Sequence, residues 1–434
     1  MRAVSQLQSL SVSATGAHGT RTTDRLISLE EAERAVLDAI PAPLRGEAVP
    51  LPDALGRVLA EDITCSEPVP RFDGSAMDGY AVRAGDLEGA GEELPVLLRV
   101  IDESRAGRPS AARLLAGQAV AISTGAVIPE GADAIVPVED TRPRGEDVEV
   151  LAAPSRGQHV RHAGEDMRRG ERVLAAGTPV GPAELGALAS LGLVSAPCTR
   201  RPLVSVLVTG DELLAAGEQP REGGVRDSNS LSISAMALRC GAQVTRQGAV
   251  GDDARATTQS LRRSIDGFDV AVVCGGVSVG RHDHVKAGLA ELGARELFWG
   301  VALRPGKPTW FGTIGETLVF GLPGNPVSAM VTFALLVRPA IRGLLGIVSR
   351  TPPLWAVLDE DYRKPPGRAH ALRCRVSAEH DGWHAAATGA QGSHVLSSMV
   401  AADALVVVPA QVSMVRAGER LRMVPLRMWQ EPLG

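Results

Sequence analysis

Between Arg201 and about Leu345 the chain alternates short apolar runs with amphipathic stretches of helical period, and no other feature constrains the fold as much. Strands are expected at Leu203 to Val208, Val270 to Cys274 and Thr317 to Leu322. Helices are expected at Asn229 to Cys240, Ala254 to Ile265 and His284 to Leu292, and a long apolar helix from about Pro326 to Leu345 closes the section. Such alternation predicts a doubly wound, mostly parallel sheet with helices on both faces. Ligands of an open parallel sheet bind beyond the carboxyl ends of its strands. All three strands end in unusual loops, so the chemistry is expected there.

The first strand runs into Thr209-Gly210-Asp211-Glu212-Leu213. This is either a plain turn or a loop that directs Glu212 into the cleft as an acceptor or metal-facing carboxylate. The nearby Asp227-Ser228-Asn229 reads mainly as a helix cap, and so does Asp252-Asp253 before the helix at Ala254. The second strand enters Gly275-Gly276-Val277-Ser278-Val279-Gly280, then a helix with Asp283 and Lys286. Glycine lets backbone N–H groups approach an anion, and a helix start carries partial positive charge. Gly275, Gly276, Ser278 and Gly280 thus form a candidate phosphate cradle, although a structural glycine turn is an equal reading. A carboxylate beside a phosphate repels it unless a cation intervenes, so Asp283 points to Mg²⁺. His282 and His284 flank it and read as solvated loop histidines.

The third strand leads into Pro323-Gly324-Asn325-Pro326-Val327-Ser328. Two prolines stiffen this helix entry, with Asn325 as cap and Pro326 in the first helical position, and the loop is also suited to present N–H groups to an anion. Upstream, Arg304-Pro305-Gly306-Lys307-Pro308 puts two cations on a proline-stiffened turn; near two anion loops they are candidate anion ligands.

At 434 residues the chain needs two to four domains. A helix from Leu29 to Ile40, opened by a Ser28/Glu31 capping box, and a second from Pro182 to Leu191 flank a stretch broken by Gly and Pro. The boundaries expected are an arm at 1–25, a discontinuous elongated domain at 26–47 and 161–199, and a β-rich insertion at 48–160. An α/β domain at 200–347 and a C-terminal β domain at 348–434 follow, the latter with a hairpin turn at Asp381-Gly382. The formal net charge of −5 argues against a nucleic-acid binder. Five scattered cysteines without a C-x-x-C pair suit a reducing cytosol, and no apolar run reaches bilayer length, so a cytoplasmic protein is expected. Nine histidines fall in no nucleophile motif.

Two polar loops of the insertion, Phe72-Asp73-Gly74-Ser75-Ala76-Met77-Asp78-Gly79-Tyr80 and Thr124-Gly125-Ala126 with Pro129-Glu130-Gly131, have no purpose on composition alone. Together with the loops above, and in this order, they resemble the MoeA/gephyrin family of molybdopterin molybdenumtransferases. The resemblance implies four domains, the last a β-barrel, and a homodimer whose cleft pairs the α/β domain of one subunit with the insertion of the other. It implies Mg-dependent insertion of molybdate into adenylylated molybdopterin with release of AMP. Asp73, Thr124, Glu212, Asp252 and Asp283 are carried over as catalytic, with Asp283 and Glu212 at the metal. Gly275, Gly276, Ser278, Gly280, Arg304, Lys307, Pro323, Gly324, Asn325 and Pro326 are carried over to the substrate, and Arg373 and Ser393 to molybdate. Transient contacts with molybdopterin adenylyltransferase and with molybdoenzyme apoproteins are implied as well. Two departures stand out: Arg304 where many relatives have Lys, and Gly300 where relatives often carry a long polar side chain. The rival readings are a molybdopterin adenylyltransferase and a non-catalytic scaffold.

Overall fold

The computed structural model describes residues 26–277, 284–347 and 353–427. The expected N-terminal arm, and Ser278, Gly280, His282 and Asp283 of the second loop, lie outside the described residues.

The central sheet has six strands, in the spatial order Gln243–Val250, Leu203–Thr209, Val270–Cys274, Thr317–Leu322, Trp310–Ile314 and Arg295–Trp299. The first three pairings are parallel, as the alternation requires. The last two are antiparallel. Only Gly315 and Glu316 separate the strands Trp310–Ile314 and Thr317–Leu322, far too few residues for a parallel crossover. The sheet is therefore mixed, with its antiparallel part at one edge. Every residue of Val270–Cys274 is buried, which is why this central strand reads as an unbroken apolar run.

The long helix runs from Pro326 to Leu344. Its middle turn, Phe333–Val337, widens to π geometry just before Pro339. A proline ring clashes with the carbonyl four residues earlier, and a wider turn relieves that contact. The helix is apolar and long enough to cross a bilayer, yet most of it is buried. It packs among the sheet residues Val206, Val272 and Phe320 and against Leu29, Ala32 and Val36 of the helix Leu29–Asp38. The expected capping box opens that first helix: the Glu31 amide donates to Ser28 Oγ at 3.1 Å and the Ser28 amide to Glu31 Oε2 at 2.7 Å.

Strand pairing divides the flanking region differently from the boundary at residue 48. Gly46–Pro50 pairs with Ser195–Thr199, and Ile63–Thr64 with Arg172–Leu174. Residues 46–64 thus hydrogen-bond to the returning segment, a pairing across more than a hundred residues that local pattern does not reveal. The insertion's own six-stranded sheet spans Gly79–Val82 to Asp147–Val150 and is entered through Gly74–Ser75, paired with Val160–Arg161.

In the C-terminal domain five strands, Leu354–Leu358, Ala369–Glu379, Gly382–Ala387, Ala404–Val408 and Arg420–Pro425, pair around a closed ring. Closure leaves the ring no free edge of its own, and the core fills with Leu358, Leu372, Val406 and Met423. The hairpin turn is His380-Asp381, with Gly382 already opening the return strand. The short strand Leu303–Arg304 adds in parallel to Ala369–His370, so the α/β domain hands Arg304 directly to the barrel.

Gly79 lies between two strands of the insertion, where a Cβ would overlap the Val136 carbonyl. Gly79→Ala should therefore destabilise the protein by about 2 kcal/mol or more through overpacking. The loss should be seen as a lower denaturation midpoint.

Candidate functional site

In-register pairing brings the strand ends together: Val208 lies opposite Cys274, Cys274 opposite Leu322, and Thr209 opposite Val250. The loops that start after these residues share one edge of the sheet. Their contacts are direct. The Gly210 amide donates to Val250 O at 3.0 Å, the Asp252 amide to Asp211 Oδ1 at 3.0 Å, and the Gly275 amide to Leu322 O at 3.0 Å. A Cβ on Gly275 would stand 2.7 Å from Thr209 O, so only glycine permits the first two loops to pack this closely. Gly276 neighbours it in the same bend, and Pro323, Gly324 and Pro326 form the third loop of the edge. Glu212 is exposed, with its carboxylate folded over the Gly210 backbone. Asp253 caps the helix Ala254–Ile265 by accepting from Ala256 N at 2.7 Å. Asp252 does not share that task; it joins the first loop.

Asn229 does more than the capping expected of its segment. Asp227 takes that role, accepting from the Ser230 amide at 2.9 Å. The Asn229 side chain is buried and donates from Nδ2 to Gly324 O at 2.7 Å, which ties the helix Asn229–Arg239 to the third loop. Asn325 occupies the cap position of the long helix without a side-chain capping bond. Its Nδ2 donates instead to Ser393 Oγ of the C-terminal domain at 3.0 Å.

Next to Ser393 lies a partly open cavity of about 280 Å³ between the α/β domain and the barrel. Its walls include Arg304, Tyr362, Lys364, His370, Arg373 and Gln391, and among the described residues no carboxylate lines it. Arg373 is 1% exposed and donates only to neutral acceptors: Ser398 Oγ at 3.2 Å, Ala371 O at 3.3 Å and Gly392 O at 3.3 Å. Lys364, 6% exposed, donates to Arg368 O at 2.9 Å and Ala410 O at 3.1 Å. Among the described residues neither cation has a carboxylate partner. Burial, then the fields of Lys364, Arg304 and Arg368, push His370 down to about 4, so the ring is neutral. Its Nδ1 lies 2.9 Å from the Tyr362 hydroxyl. Burying cations without counter-charge is costly, and a dianion in the cavity would remove that cost. Lys307 is exposed on the same turn as Arg304 and does not line this cavity.

The residues expected from the insertion form a separate group. Asp73 accepts from the Ala163 amide at 2.8 Å and lies 3.3 Å from His162 Nδ1. The Ala163 amide first, and then His162, hold its carboxyl below the usual range. Thr124 is oriented by Asp78, whose Oδ1 accepts from its amide at 2.7 Å and its hydroxyl at 3.1 Å. Bonds between Ile128 N and Asp73 O, and between Gly125 N and Ser75 O, lock the two polar loops together. Among the described residues no hydrogen bond joins this group to the sheet edge of the same chain.

The geometry can be set beside known proteins. Residues 27–192 match the model of the MoeA N-terminal region (domain I and II), 205–343 that of a probable molybdopterin binding domain, and 356–426 that of the MoeA C-terminal region (domain IV). The molybdopterin molybdenumtransferase of Haemophilus influenzae is 35% identical over 404 residues, covering 92% of this chain and 98% of its own length. That of Bacillus subtilis is 36% identical over 386 residues, covering 88% and 90%. The crystal structure of the molybdopterin biosynthesis MoeA protein from Pyrococcus horikoshii superposes with a TM-score of 0.81 at 31% identity, covering 93% of this chain and all of that one. The chain belongs to the MoeA family of molybdopterin molybdenumtransferases. It is a transferase of molybdenum cofactor biosynthesis, with mixed sheets and a closed barrel-like sheet.

Sequence reasoning missed several residues of this MoeA-family chain: Asn229 as a tether, Asp78 as the organiser of Thr124, and Tyr362, Lys364 and His370 on the cavity wall. A signal for the last group exists. Arg363-Lys364-Pro365-Pro366-Gly367-Arg368 has the same texture as Arg304 to Pro308, cations on a turn stiffened by proline. Of the two departures, Gly300 has a structural reason: its φ is +85°, and a Cβ would stand 2.8 Å from the Leu26 side chain.

Among the described residues a compact set of potential metal ligands also occurs at Glu379, Asp381 and His384. Both His384 nitrogens are already engaged, Nδ1 by Asp359 at 2.7 Å and Nε2 by Asp381 at 3.0 Å. His384, paired with Asp359 and Asp381, braces the hairpin.

The neutral His370 has a measurable consequence. Between its folded value of about 4 and the ordinary 6.5, the unfolded chain takes up a proton that the folded chain refuses. This group therefore lowers stability as pH falls through that window. NMR should show no protonation of the His370 ring between pH 7 and about 5. His370→Gln should flatten the acid side of the stability profile.

Proposed function

We propose that this transferase inserts molybdate into adenylylated molybdopterin at the carboxyl edge of the parallel sheet, with release of AMP, and that Mg²⁺ supports the reaction. The observation that carries this reading is the carboxylate-free cationic cavity, joined to that edge by the Asn325–Ser393 hydrogen bond. Molybdate is a tetrahedral dianion, and Arg304, Arg373 and Lys364 supply the fixed positive charge such a guest requires. Its delivery beside Asn325 puts it next to the glycine bends of Gly275, Gly276 and Gly324, where backbone N–H groups suit phosphate.

The donor set at the edge suits a hard divalent ion. Glu212 and Asp252 are exposed carboxylates on adjoining loops, and neither is paired with a cation among the described residues. Asp283 and Glu212 are the two metal ligands expected from the sequence, and Asp252 adds a carboxylate beside Glu212. When bound, Mg²⁺ would neutralise charge on the phosphoanhydride as it breaks. The chain's own contribution is to position. The Gly210, Gly275 and Asn229 contacts hold the loops against one another, and the sulfurs that bind molybdenum belong to the substrate. No protein nucleophile is needed.

Asp73 and Thr124 belong to the same chemistry in a homodimer in which the insertion of one subunit covers the sheet edge of its partner. This accounts for two ordered polar loops that, among the described residues, make no hydrogen bond to the sheet edge of their own chain. A cytoplasmic location fits the reduced cysteines, and transient contacts with molybdopterin adenylyltransferase and molybdoenzyme apoproteins would hand the unstable cofactor on.

Incubation of the purified protein with adenylylated molybdopterin, Mg²⁺ and molybdate should release AMP in a molybdate-dependent manner. Asp283→Ala should abolish the release. Arg304→Ala should raise the molybdate concentration needed for half-maximal rate by about tenfold, the loss of one charge-assisted contact. AMP release indifferent to molybdate and to Asp283→Ala would defeat this reading.

A further inference from the structure

We propose that Lys286, held over the indole of Trp299, is a further phosphate ligand at the sheet edge, and that Trp299 positions it. The inference rests on the reading of that edge as the site of the adenylylated substrate.

Strand register places the pair. Trp299 ends the strand Arg295–Trp299 and lies opposite Trp310, which in turn lies opposite Gly321. Gly321 is one residue short of Leu322, where the third loop starts, so Trp299 stands at the same edge as the glycine bends. Its indole Nε1 donates to Val277 O at 2.9 Å, directly after Gly275 and Gly276. Lys286 comes from the helix Val285–Glu291, which also packs on this bend. A Cβ on Gly276 would stand 2.5 Å from Val285 Cγ2. The Lys286 ammonium lies 4.1 Å from the centre of the Trp299 ring. One indole thus fixes both the second loop and the cation beside it.

The way Lys286 is held leaves its charge available. A surface lysine ordinarily extends its ammonium into water. Lys286 is partly buried, and among the described residues no carboxylate or carbonyl accepts from its Nζ. The face of an indole attracts a cation without neutralising it. An ammonium has three N–H donors, and those turned away from the ring remain for an acceptor. The glycine bends offer backbone N–H groups but no net charge, whereas a phosphate brings a full negative charge to them. A lysine whose rotamer is already set loses less freedom when that charge arrives.

The test is calorimetric titration of the full-length protein with adenosine, AMP and ADP, at fixed Mg²⁺ and ionic strength. The probes share one nucleoside and carry no phosphate, the adenylyl phosphate alone, or both phosphates of an anhydride. Lys286→Met keeps the apolar stem and removes the charge. It should weaken a phosphate-bearing probe by about tenfold, the factor for one charged hydrogen bond, and leave adenosine unchanged. A loss already complete with AMP assigns the ammonium to the adenylyl phosphate. A loss only with ADP assigns it to the phosphate on the pterin side. Trp299→Leu should weaken the same probe by roughly threefold, and Trp299→Phe, which keeps a π face, by less. Added to Lys286→Met, Trp299→Leu should cost nothing more, because both act through one ammonium. A further loss in that double variant removes the positioning role of Trp299. AMP and ADP that bind Lys286→Met as tightly as the unmodified protein, or a loss that is equal for adenosine, overturn the proposal. Unmodified protein that binds neither AMP nor ADP is a different result: it removes the substrate reading of the edge, and this inference with it.

Discussion

The parallel register of the strands beginning at Leu203, Val270 and Thr317 is the constraint on which the rest depends. Because Val208, Cys274 and Leu322 lie side by side, three loops from distant parts of the chain must start at the same edge. The register is fixed at the opposite edge by Asp269. Its carboxylate takes a bidentate bond from Arg200 at 2.7 Å and a third from the Leu203 amide at 2.7 Å, while its carbonyl accepts from Leu318 N. One residue thus aligns the start of all three strands, and the alignment propagates to the loops. A slip of one residue would also turn the buried Val206, Val272 and Phe320 to the wrong face.

The second organising fact is the junction between this sheet and the barrel. Arg304 leaves the α/β domain as a two-residue strand on Ala369–His370, and Ser393 returns a hydroxyl to Asn325. Both contacts border the cavity that holds Arg373 and Lys364. Each of these cations is fixed by neutral oxygens, which orient it without cancelling its charge. A salt bridge would have held either one more cheaply, at the expense of its pull on an anion. The closed barrel supplies the rigidity this needs: Arg373 and His370 lie on one strand, Ala369–Glu379, which pairs on both sides.

How much of this was legible in the sequence follows from range. Helices and parallel strands announce themselves over ten residues, so Val270–Cys274, Thr317–Leu322 and Ala254–Ile265 stand where their patterns put them. The strand Gly46–Pro50 does not, because what makes it a strand is Ser195–Thr199, far along the chain. The site divides in the same way. Glycine bends and proline-stiffened turns mark the loops at Thr209, Gly275 and Pro323 locally. Tyr362 and His370 are ordinary residues in ordinary strands, and His370 meets Arg304 only because the two-residue strand Leu303–Arg304 pairs with Ala369–His370.

The third loop shows how the two halves depend on each other. Its carbonyl at Gly324 is held from one side by Asn229, at the start of a helix in the α/β domain. Its side chain at Asn325 is held from the other by Ser393, in the barrel. Two prolines leave the loop little freedom to answer one partner without the other. Movement of the barrel loop around Gly392 must therefore be felt at Gly324, which packs against Gly275 across the edge. The cationic cavity and the glycine bends of the sheet edge are mechanically one unit, although among the described residues no part of the cavity wall reaches the strand ends.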